Sequence, residues 1–262
     1  SNGETKQMLR SIITLSEGRL FGIMPGAMGE GEVFGAKLIS VFHGNFDAGK
    51  PSHQGVVVLF DPDTGAPVCV LDAGAITAIR TAAASAVATD ALARPEAARL
   101  ALLGYGEQAL AHARAITKVR KIAAITVWGR SPTRSAAFAE RLSAELGLPV
   151  SACESAEATV ADADIICTVS AASEPILKSA WVKPGTHVNV VGSSYAGPTE
   201  VDNELVARAR FIVDSREGVL RQGAEFLCAK AAGLIGDGHI VAEIGEVLAG
   251  RNVGRRSTEE VT

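Results

Sequence analysis

The feature that most constrains the fold is a glycine-containing turn between an apolar segment and a helical one. Residues 100–103 are apolar, and Gly104-Tyr105-Gly106-Glu107-Gln108-Ala109 follows them directly. In a G-x-G-x-x-A turn the first glycine permits the tight turn, the second lets backbone approach a pyrophosphate, and the alanine allows close helix–strand contact. The N-terminus of the following helix favours negative charge. The turn therefore predicts a dinucleotide site; the alternative is an ordinary glycine turn.

The sequence after Pro95 alternates between strand-like and helix-like segments. Strands are expected at 100–103, 122–128, near 150, 164–169, 187–191 and 211–213, and helices at 107–119, 132–146, 155–160 and 203–209. Helices that connect successive strands imply a parallel sheet with right-handed crossovers. The predicted class is therefore α/β, with a Rossmann-type doubly wound parallel sheet of about six strands.

The earlier part of the chain has a different pattern. Strands are expected at 32–42, 55–60 and 68–71, followed by a helix at 75–93, and the sequence Asp-Pro-Asp-Thr-Gly at 61–65 is a strong turn signal. A short turn between two strands predicts an antiparallel hairpin. We expect an antiparallel lobe formed by residues 1–94, to which we also assign 230–262, and a nucleotide-binding Rossmann domain over 95–229.

The tip of the second strand of the α/β part indicates which nucleotide to expect. An NAD site normally has Asp or Glu there, about 20 residues after the strand–turn start, to bind the ribose hydroxyls. This chain has Gly129, Arg130, Ser131 and Arg134 and no carboxylate. Because guanidinium groups bind phosphate, this tip favours a 2′-phosphate. We predict NADP(H) rather than NAD(H); the alternative is that the two arginines only solvate a surface turn.

Composition and charge argue against several other classes of protein. The chain has 262 residues, 47% of them hydrophobic, and a formal net charge of −4. Those values argue against disorder and against a nucleic-acid partner. No uncharged apolar run reaches the ~18 residues of a membrane helix. Four scattered cysteines suit free thiols in a reducing compartment better than disulfides or zinc ligands. We expect a cytoplasmic protein without a metal or a membrane anchor.

Three further segments are too specific to serve only as scaffold. They are Gly35-Ala36-Lys37-Leu38, Pro51-Ser52-His53-Gln54, and residues 77–83, which read TAIRTAA. Together with the glycine turn and the segments 174–177, 181–185 and 189–194, they resemble the ornithine cyclodeaminase/mu-crystallin family over nearly the whole chain. The resemblance implies a homodimer in which the antiparallel lobe joins the subunits and binds a small-molecule substrate, while the Rossmann lobe binds NAD(P).

In the family arrangement, the positions of Lys37 and Arg80 contact the carboxylate or amine of the substrate. The residue types agree with that role, because a guanidinium is a planar fork suited to carboxylate and a lysine is a movable proton donor. We therefore expect Lys37 and Arg80 to be catalytic and substrate-binding, with His53 also at the substrate. The alternatives are an outward-facing strand lysine, a surface arginine of the helix, and a structural histidine.

The expected cofactor site extends beyond the two tips already described. Its additional residues are Ser170, Ala171, Val191 and Ser193 near the nicotinamide, and Ser52, His53 and Arg80 in the first lobe.

The sequence departs from the cyclodeaminases at Ser194. In those enzymes the segment after the fifth strand reads Gly-Gly-Asp or similar, and the aspartate is the catalytic acid/base. A serine hydroxyl is not a general base at neutral pH without an activator. Mu-crystallin-type ketimine reductases resemble this chain at the same place. The resemblance thus implies NADPH-dependent reduction of cyclic imine carboxylates, such as 1-pyrroline-2-carboxylate or 1-piperideine-2-carboxylate, to proline or pipecolate.

Three other functions stay open at this point. One is an ornithine cyclodeaminase that forms proline and ammonia, another is a non-catalytic NADPH-binding protein, and the third is an opine- or alanine-type dehydrogenase acting on an open-chain 2-oxo acid. The resemblance also implies an N-terminal stretch before Ser1 with a second carboxylate-binding arginine, and a helix after Thr262. Part of the substrate pocket is therefore expected outside this chain.

Overall fold

The computed structural model describes residues 5–45, 48–192 and 197–262. Its contacts divide the chain into two units, Ser1–Arg80 and Thr81–Thr262. The division falls at a different place from the expected one, because residues 81–94 and 230–262 make their contacts within the second unit. In that unit, for example, the Arg255 side chain donates a hydrogen bond to the backbone oxygen of Leu92 at 2.6 Å. The functional roles assigned to the two parts stay predictions.

The first unit is an antiparallel sheet followed by the beginning of a helix. Its elements are β1 (Lys6–Gln7), β2 (Ser11–Ser16), β3 (Arg19–Ala27), β4 (Phe34–Phe42), β5 (His53–Phe60), β6 (Pro67–Asp72) and the first turns of α1 (Ala73–Leu92). The strand order is β1-β3-β4-β5-β6, with β2 paired to β3. Sequence analysis found β4–β6 and α1 but missed β1–β3. The reason is that β2 is exposed along its whole length and β3 contains two glycines and a proline, so neither shows a clear apolar alternation.

The hairpin between β5 and β6 forms at the predicted turn. Oδ1 of Asp61 accepts hydrogen bonds from the backbone N–H groups of Asp63 and Thr64 at 3.1 and 2.8 Å. Beyond the turn the strands pair antiparallel, with Val57 opposite Leu71. A side chain that bonds the backbone of its own turn in this way fixes the turn, and the turn fixes the register of the hairpin.

The second unit contains a five-stranded parallel sheet. Its strands are β7 (Arg99–Leu103), β8 (Ala124–Trp128), β9 (Val150–Ala152), β10 (Ile165–Thr168) and β11 (His187–Val190), and the connecting helices are α2 (Glu107–Val119), α3 (Pro132–Leu146) and α4 (Ala156–Val160). The strand order is β11-β10-β7-β8-β9. Because the chain winds outward on both sides of β7, the sheet is doubly wound and its switch point lies between β7 and β10.

The expected sixth strand does not join this sheet. β12 (Phe211–Val213) pairs instead with β13 (Ile240–Glu243) in a separate two-stranded parallel sheet. The edge of β11 is bonded by the C-terminal residues: the N–H of Val188 donates to the backbone oxygen of Thr262 at 2.8 Å. The remaining helices are α5 (Asn203–Arg208), α6 (Arg216–Gln222), α7 (Ala224–Ala231) and α8 (Ile244–Leu248).

Both faces of the parallel sheet are buried. Along β7, Leu100 and Leu102 belong to the apolar cluster that includes Phe138 of α3. The alternate residues Ala101 and Leu103 belong to a second cluster with α4 and α5. Burial on both faces explains why the segment before the glycine turn is apolar at every position rather than at every second one.

The described ranges contain no helix that is long and apolar enough to cross a bilayer. Within the same ranges, no group of His, Cys, Asp or Glu side chains is arranged to hold a metal ion. The four cysteines, Cys69, Cys153, Cys167 and Cys228, are free thiols.

Candidate active site

The glycine turn lies at the carboxyl end of β7, beside the switch point. Gly104 has a φ of 137°, a conformation that strains any residue with a side chain. A Cβ added there would lie 2.4 Å from the backbone oxygen of Val169, which follows β10. The N–H of Gly104 donates to the backbone oxygen of Trp128, at the end of β8, at 2.8 Å. Gly104 is therefore held between two strand ends where only glycine fits.

Gly106 meets a different requirement. Its backbone, with φ −87° and ψ −167°, is open to any residue, and no heavy atom of the described residues lies within 4 Å of the position that a Cβ would take. Gly106 is the N-cap of α2 and, being glycine, offers no side chain to cap the N–H groups of the first turn. Open space in front of uncapped N–H donors is what a pyrophosphate requires. The residues present thus fit a dinucleotide.

The other residues of the turn complete this arrangement. Ala109 is fully buried, which allows α2 to lie close to the sheet, and Glu107 is exposed in the first turn of α2. The side-chain oxygen Oε1 of Gln108 is buried and has no hydrogen-bond partner among the described residues. An unsatisfied buried acceptor costs about 1–3 kcal/mol, so a donor on a bound ligand would stabilise it.

The tip after β8 contains the residues predicted to select the nucleotide. The ring of Tyr105 covers Gly129 so closely that a Cβ added at Gly129 would lie 2.3 Å from two of its ring carbons. Ser131 is the N-cap of α3, and its Oγ accepts a hydrogen bond from the N–H of Arg134 at 3.3 Å. Arg130 and Arg134 are exposed. Two guanidinium groups therefore flank the point where an acidic residue would select NAD.

The residues expected at the nicotinamide follow the two strands on the other side of the switch point. Ser170 and Ala171 come after β10, and Val191 comes directly after β11. They lie at the same edge of the sheet as the glycine turn, because all five strands are parallel. Ser193 and Ser194 lie outside the described residues.

Two buried glutamates lie at this edge, and sequence analysis singled out neither. The side chain of Glu200 is 2% exposed and that of Glu225 is 6% exposed. Burial raises the pKa of both carboxyl groups, and the charge of Glu200 raises the pKa of Glu225 further. No spacing in the sequence marks either residue, because their partners are distant along the chain: Oε1 of Glu225, for example, accepts from the N–H of Glu200 at 3.1 Å.

In the first unit, Lys37 lies in the middle of β4. Its Nζ donates a hydrogen bond to Oγ1 of Thr77 at 3.1 Å, so its side chain is on the sheet face that α1 covers. Lys37 is half-buried, unlike an outward-facing strand lysine. Burial, and then the charges of Arg80 and Arg10, lower the pKa of Lys37 to about 8.

Two arginines of the first unit therefore act electrostatically on Lys37. Arg80 is on α1, and Arg10 lies between β1 and β2. Because like charges disfavour one another, such a group favours the binding of an anion. Arg10 is a residue that sequence analysis did not single out, since it lies in a short exposed segment without a clear apolar period.

Ser52 and His53 form a pair at the beginning of β5. Oγ of Ser52 and Nδ1 of His53 are 2.9 Å apart. His53 is opposite Val41, so it shares a sheet face with Lys37. The two backbone positions are four residues apart along the strands, which corresponds to about 13 Å. The charge of Arg80 thus acts on Lys37, whereas the backbone of His53 is far from that of Lys37.

The second unit has a doubly wound parallel sheet with a glycine turn that fits a dinucleotide, and the first unit contains several cations. Comparison with known proteins assigns this combination to a family. The model of the ornithine cyclodeaminase/mu-crystallin family matches residues 1–262. The chain is 37% identical to mouse ketimine reductase mu-crystallin over 250 residues, which is 95% of this chain and 76% of that protein. The chain belongs to the ornithine cyclodeaminase/mu-crystallin family.

Solved structures confirm the fold class. The Thermococcus litoralis Δ1-pyrroline-2-carboxylate reductase, determined in complex with NADH and L-proline, matches with a TM-score of 0.94 and 35% identity, covering 100% of this chain and 81% of that one. An archaeal alanine dehydrogenase dimer with bound NAD matches with a TM-score of 0.91 and 30% identity, covering 100% of this chain and 79% of that one.

Proposed function

We propose that the chain is an NADPH-dependent reductase of cyclic imine carboxylates. It would form proline from 1-pyrroline-2-carboxylate or pipecolate from 1-piperideine-2-carboxylate. The observation that carries the proposal is the half-buried Lys37, which Thr77 orients by a hydrogen bond and on which the charges of Arg80 and Arg10 act; such a group of cations suits a carboxylate. The similarity to a ketimine reductase and to a pyrroline-2-carboxylate reductase supports the same reaction, an oxidoreduction at a C=N bond.

The carboxylate of the substrate would be bound by Arg80 and Arg10. Its negative charge offsets the mutual repulsion of the cations, so binding is strongest while Lys37 is protonated. With a pKa of about 8, Lys37 is mostly protonated at neutral pH but releases its proton more readily than an ordinary lysine. A group with these properties suits proton transfer to the imine nitrogen.

The nicotinamide cofactor, when bound, supplies the hydride that the imine carbon beside the carboxylate accepts. The turn at 104–109 would hold its pyrophosphate at the open N-terminus of α2. The 2′-phosphate of NADP(H) would lie against Arg130, Ser131 and Arg134. The two similar structures contain NADH and NAD, so a preference for NADPH would distinguish this chain from them.

A panel assay of NADPH oxidation tests the proposal. Purified protein is given cyclic imine carboxylates of two ring sizes, and separately ornithine with detection of ammonia. We expect NADPH oxidation with at least one cyclic imine and the formation of its cyclic amino acid. Ammonia release from ornithine without net cofactor turnover would indicate a cyclodeaminase instead. Tight NADPH binding without turnover of any imine would indicate a non-catalytic binding protein.

A second candidate function is reductive amination of an open-chain 2-oxo acid. It is favoured by the similarity to the archaeal alanine dehydrogenase, which extends over the whole of this chain. A further arm of the same assay, with pyruvate plus ammonia or an amine, separates the two functions. Faster turnover there than with any cyclic imine would favour the second candidate.

The first unit would also form a homodimer. The sheet face opposite α1 is rich in apolar side chains, and none of them is fully buried in the single chain. Its members are Ile13, Phe21, Ile23, Leu38, Val56, Val58, Val68 and Val70. Val70 and Val68 are 65% and 57% exposed. A continuous apolar face of this kind usually marks an interface, and a second copy of the chain presents the same face.

The thiols suggest where the protein works. All four cysteines are unpaired, and free thiols persist in reducing compartments. We therefore place the protein in the cytoplasm.

A further inference from the structure

One buried carboxylate joins the segments that follow two neighbouring strands. Oε1 of Glu200 accepts hydrogen bonds from the N–H and from the Oγ of Ser170, at 2.7 and 2.6 Å. Oε2 accepts a hydrogen bond from the N–H of Gly192 at 2.9 Å. Ser170 is the second residue after β10, and Gly192 is the second residue after β11. The side chain of Glu200 therefore holds both strand ends at once.

Burial of a carboxylate costs free energy of folding, so this side chain is expected to maintain a specific geometry. Neither Glu200 nor the neighbouring Glu225 takes part in an ion pair within the described part of the chain. A buried ionic group of this kind contributes little to stability compared with apolar side chains of similar volume. The three donated hydrogen bonds are directional, so what Glu200 does provide is a fixed distance between Ser170 and Gly192.

The two segments lie where the nicotinamide end of a dinucleotide is expected. In a doubly wound sheet the ligand binds outside the carboxyl ends of the strands at the switch point, which here lies between β7 and β10. Val169, directly before Ser170, is also the residue against which Gly104 packs. A displacement of Ser170 would therefore move one wall of the site relative to the glycine turn.

We propose that Glu200 is a positioning residue, which fixes Ser170 and Gly192 in the arrangement that places the nicotinamide for hydride transfer. This inference rests on the proposed reductase function. In this role Glu200 would act through the two backbone segments that it binds, not by contact with the substrate or the cofactor. Because a misplacement of about 1 Å can slow a reaction about 100-fold, loss of this clamp is expected to lower kcat much more than it changes the KM of the imine.

The test compares Glu200→Gln with Asp164→Asn. Asp164 is a matched control, because its Oδ2 likewise accepts hydrogen bonds from two backbone N–H groups, those of Ala98 and Arg99 at 3.0 and 3.1 Å, but at the amino end of the parallel strands. In Glu200→Gln one carboxylate oxygen is replaced by an NH2 group, which donates but does not accept hydrogen bonds. We expect kcat to fall about tenfold or more in Glu200→Gln, with the imine KM changed less than about twofold. The deuterium isotope effect measured with labelled NADPH is expected to change as well, and Asp164→Asn should show neither effect.

A second measurement needs no turnover. Hydrogen exchange of the cofactor-free protein is followed at the amides of Ser170 and Gly192, and the affinity for NADPH is measured by fluorescence. We expect faster exchange at one or both amides and weaker NADPH binding in Glu200→Gln than in Asp164→Asn. If Glu200→Gln does not fold, Glu200→Asp keeps the charge but is too short to reach both segments, and it is expected to show the same changes.

The inference is overturned if the Glu200 variants match Asp164→Asn in kcat, isotope effect, amide exchange and NADPH affinity, since any loss of melting temperature would then be only structural. Failure of the proposed reaction is distinguishable from this result. In that case the unaltered protein turns over no imine, whereas amide exchange and NADPH affinity still report on the clamp.

Discussion

Lys37 donates a hydrogen bond from Nζ to Oγ1 of Thr77 at 3.1 Å, and that same hydroxyl donates to the backbone oxygen of Ala73 at 2.6 Å. Because the hydroxyl proton of Thr77 is directed at Ala73, its lone pair is the part that faces Lys37. The ammonium group has three N–H donors, and this contact occupies one of them. Thr77 therefore orients the ammonium of Lys37 and leaves it two donors for an anion.

Arg80→Ala should raise the KM for the imine carboxylate. Loss of one charge-assisted hydrogen-bonded pair corresponds to about tenfold or more in affinity. Arg19→Ala is the matched control, because Arg19 lies on the neighbouring β3 with its guanidinium 5.3 Å from the ring centre of Phe42. Steady-state kinetics with both variants decides the matter: an unchanged KM in Arg80→Ala would remove Arg80 from the substrate site.

The pH dependence of kcat/KM should report the ionisation of Lys37. Its pKa is lowered to about 8, first by burial and then by Arg80 and Arg10. Lys37 is therefore cationic below this pH and neutral above it, so kcat/KM for a carboxylate substrate should fall as the pH rises through about 8. Lys37→Arg keeps its charge to higher pH, and the fall should move upward accordingly. If the pH dependence of kcat/KM is the same in Lys37→Arg as in the unaltered protein, the ionisation belongs to another group.

Replacement of Arg130 or Arg134 by Ala should weaken the use of NADPH. Each loses a cation near the predicted 2′-phosphate, so kcat/KM for NADPH should fall about tenfold while that for NADH changes little. Arg141→Ala is the control, since Arg141 belongs to α3, as Arg134 does, but stacks on Phe138 with its guanidinium 5.5 Å from the ring centre. Equal efficiency of the unaltered protein with NADH and NADPH would contradict the predicted preference.

Val70→Asp should prevent the predicted dimer. The substitution places a charge in the apolar face of the sheet, and burial of an unpaired charge is strongly unfavourable. Light scattering coupled to size exclusion is expected to give a dimer for the unaltered chain and a monomer for the variant. Val253→Asp, at a site 61% exposed in the second unit, should stay dimeric. If the Val70→Asp variant is still a dimer, the interface lies on another surface.

Elements with a local signal could be predicted from the sequence. The apolar run at 100–103, the glycine turn and the hairpin at 61–65 each carry their information within a few residues, and the structure has each of them. The two arginines after β8 could be found for the same reason, because their position relative to the glycine turn is fixed by the strand–helix–strand unit.

Features that depend on distant partners could not be predicted. β12 has a strand-like sequence, but whether it joins the main sheet depends on the C-terminal residues that bond the edge of β11. Glu200 is defined by backbone donors up to 30 residues away. Arg10 gains its significance from the charge of Lys37 on another strand. In each case the decisive contact exists only after the chain has folded.

The two glycines of the dinucleotide turn are required for different reasons, one for folding and the other for binding. Gly104 is required by the chain itself, because a methyl group there would overlap the backbone after β10. A methyl group at Gly106 would meet no neighbouring atom of the described residues. In a library sorted only for folded protein, alanine should therefore be depleted at position 104 and retained at position 106. Sorted for growth that depends on turnover, the same library should lose alanine at both.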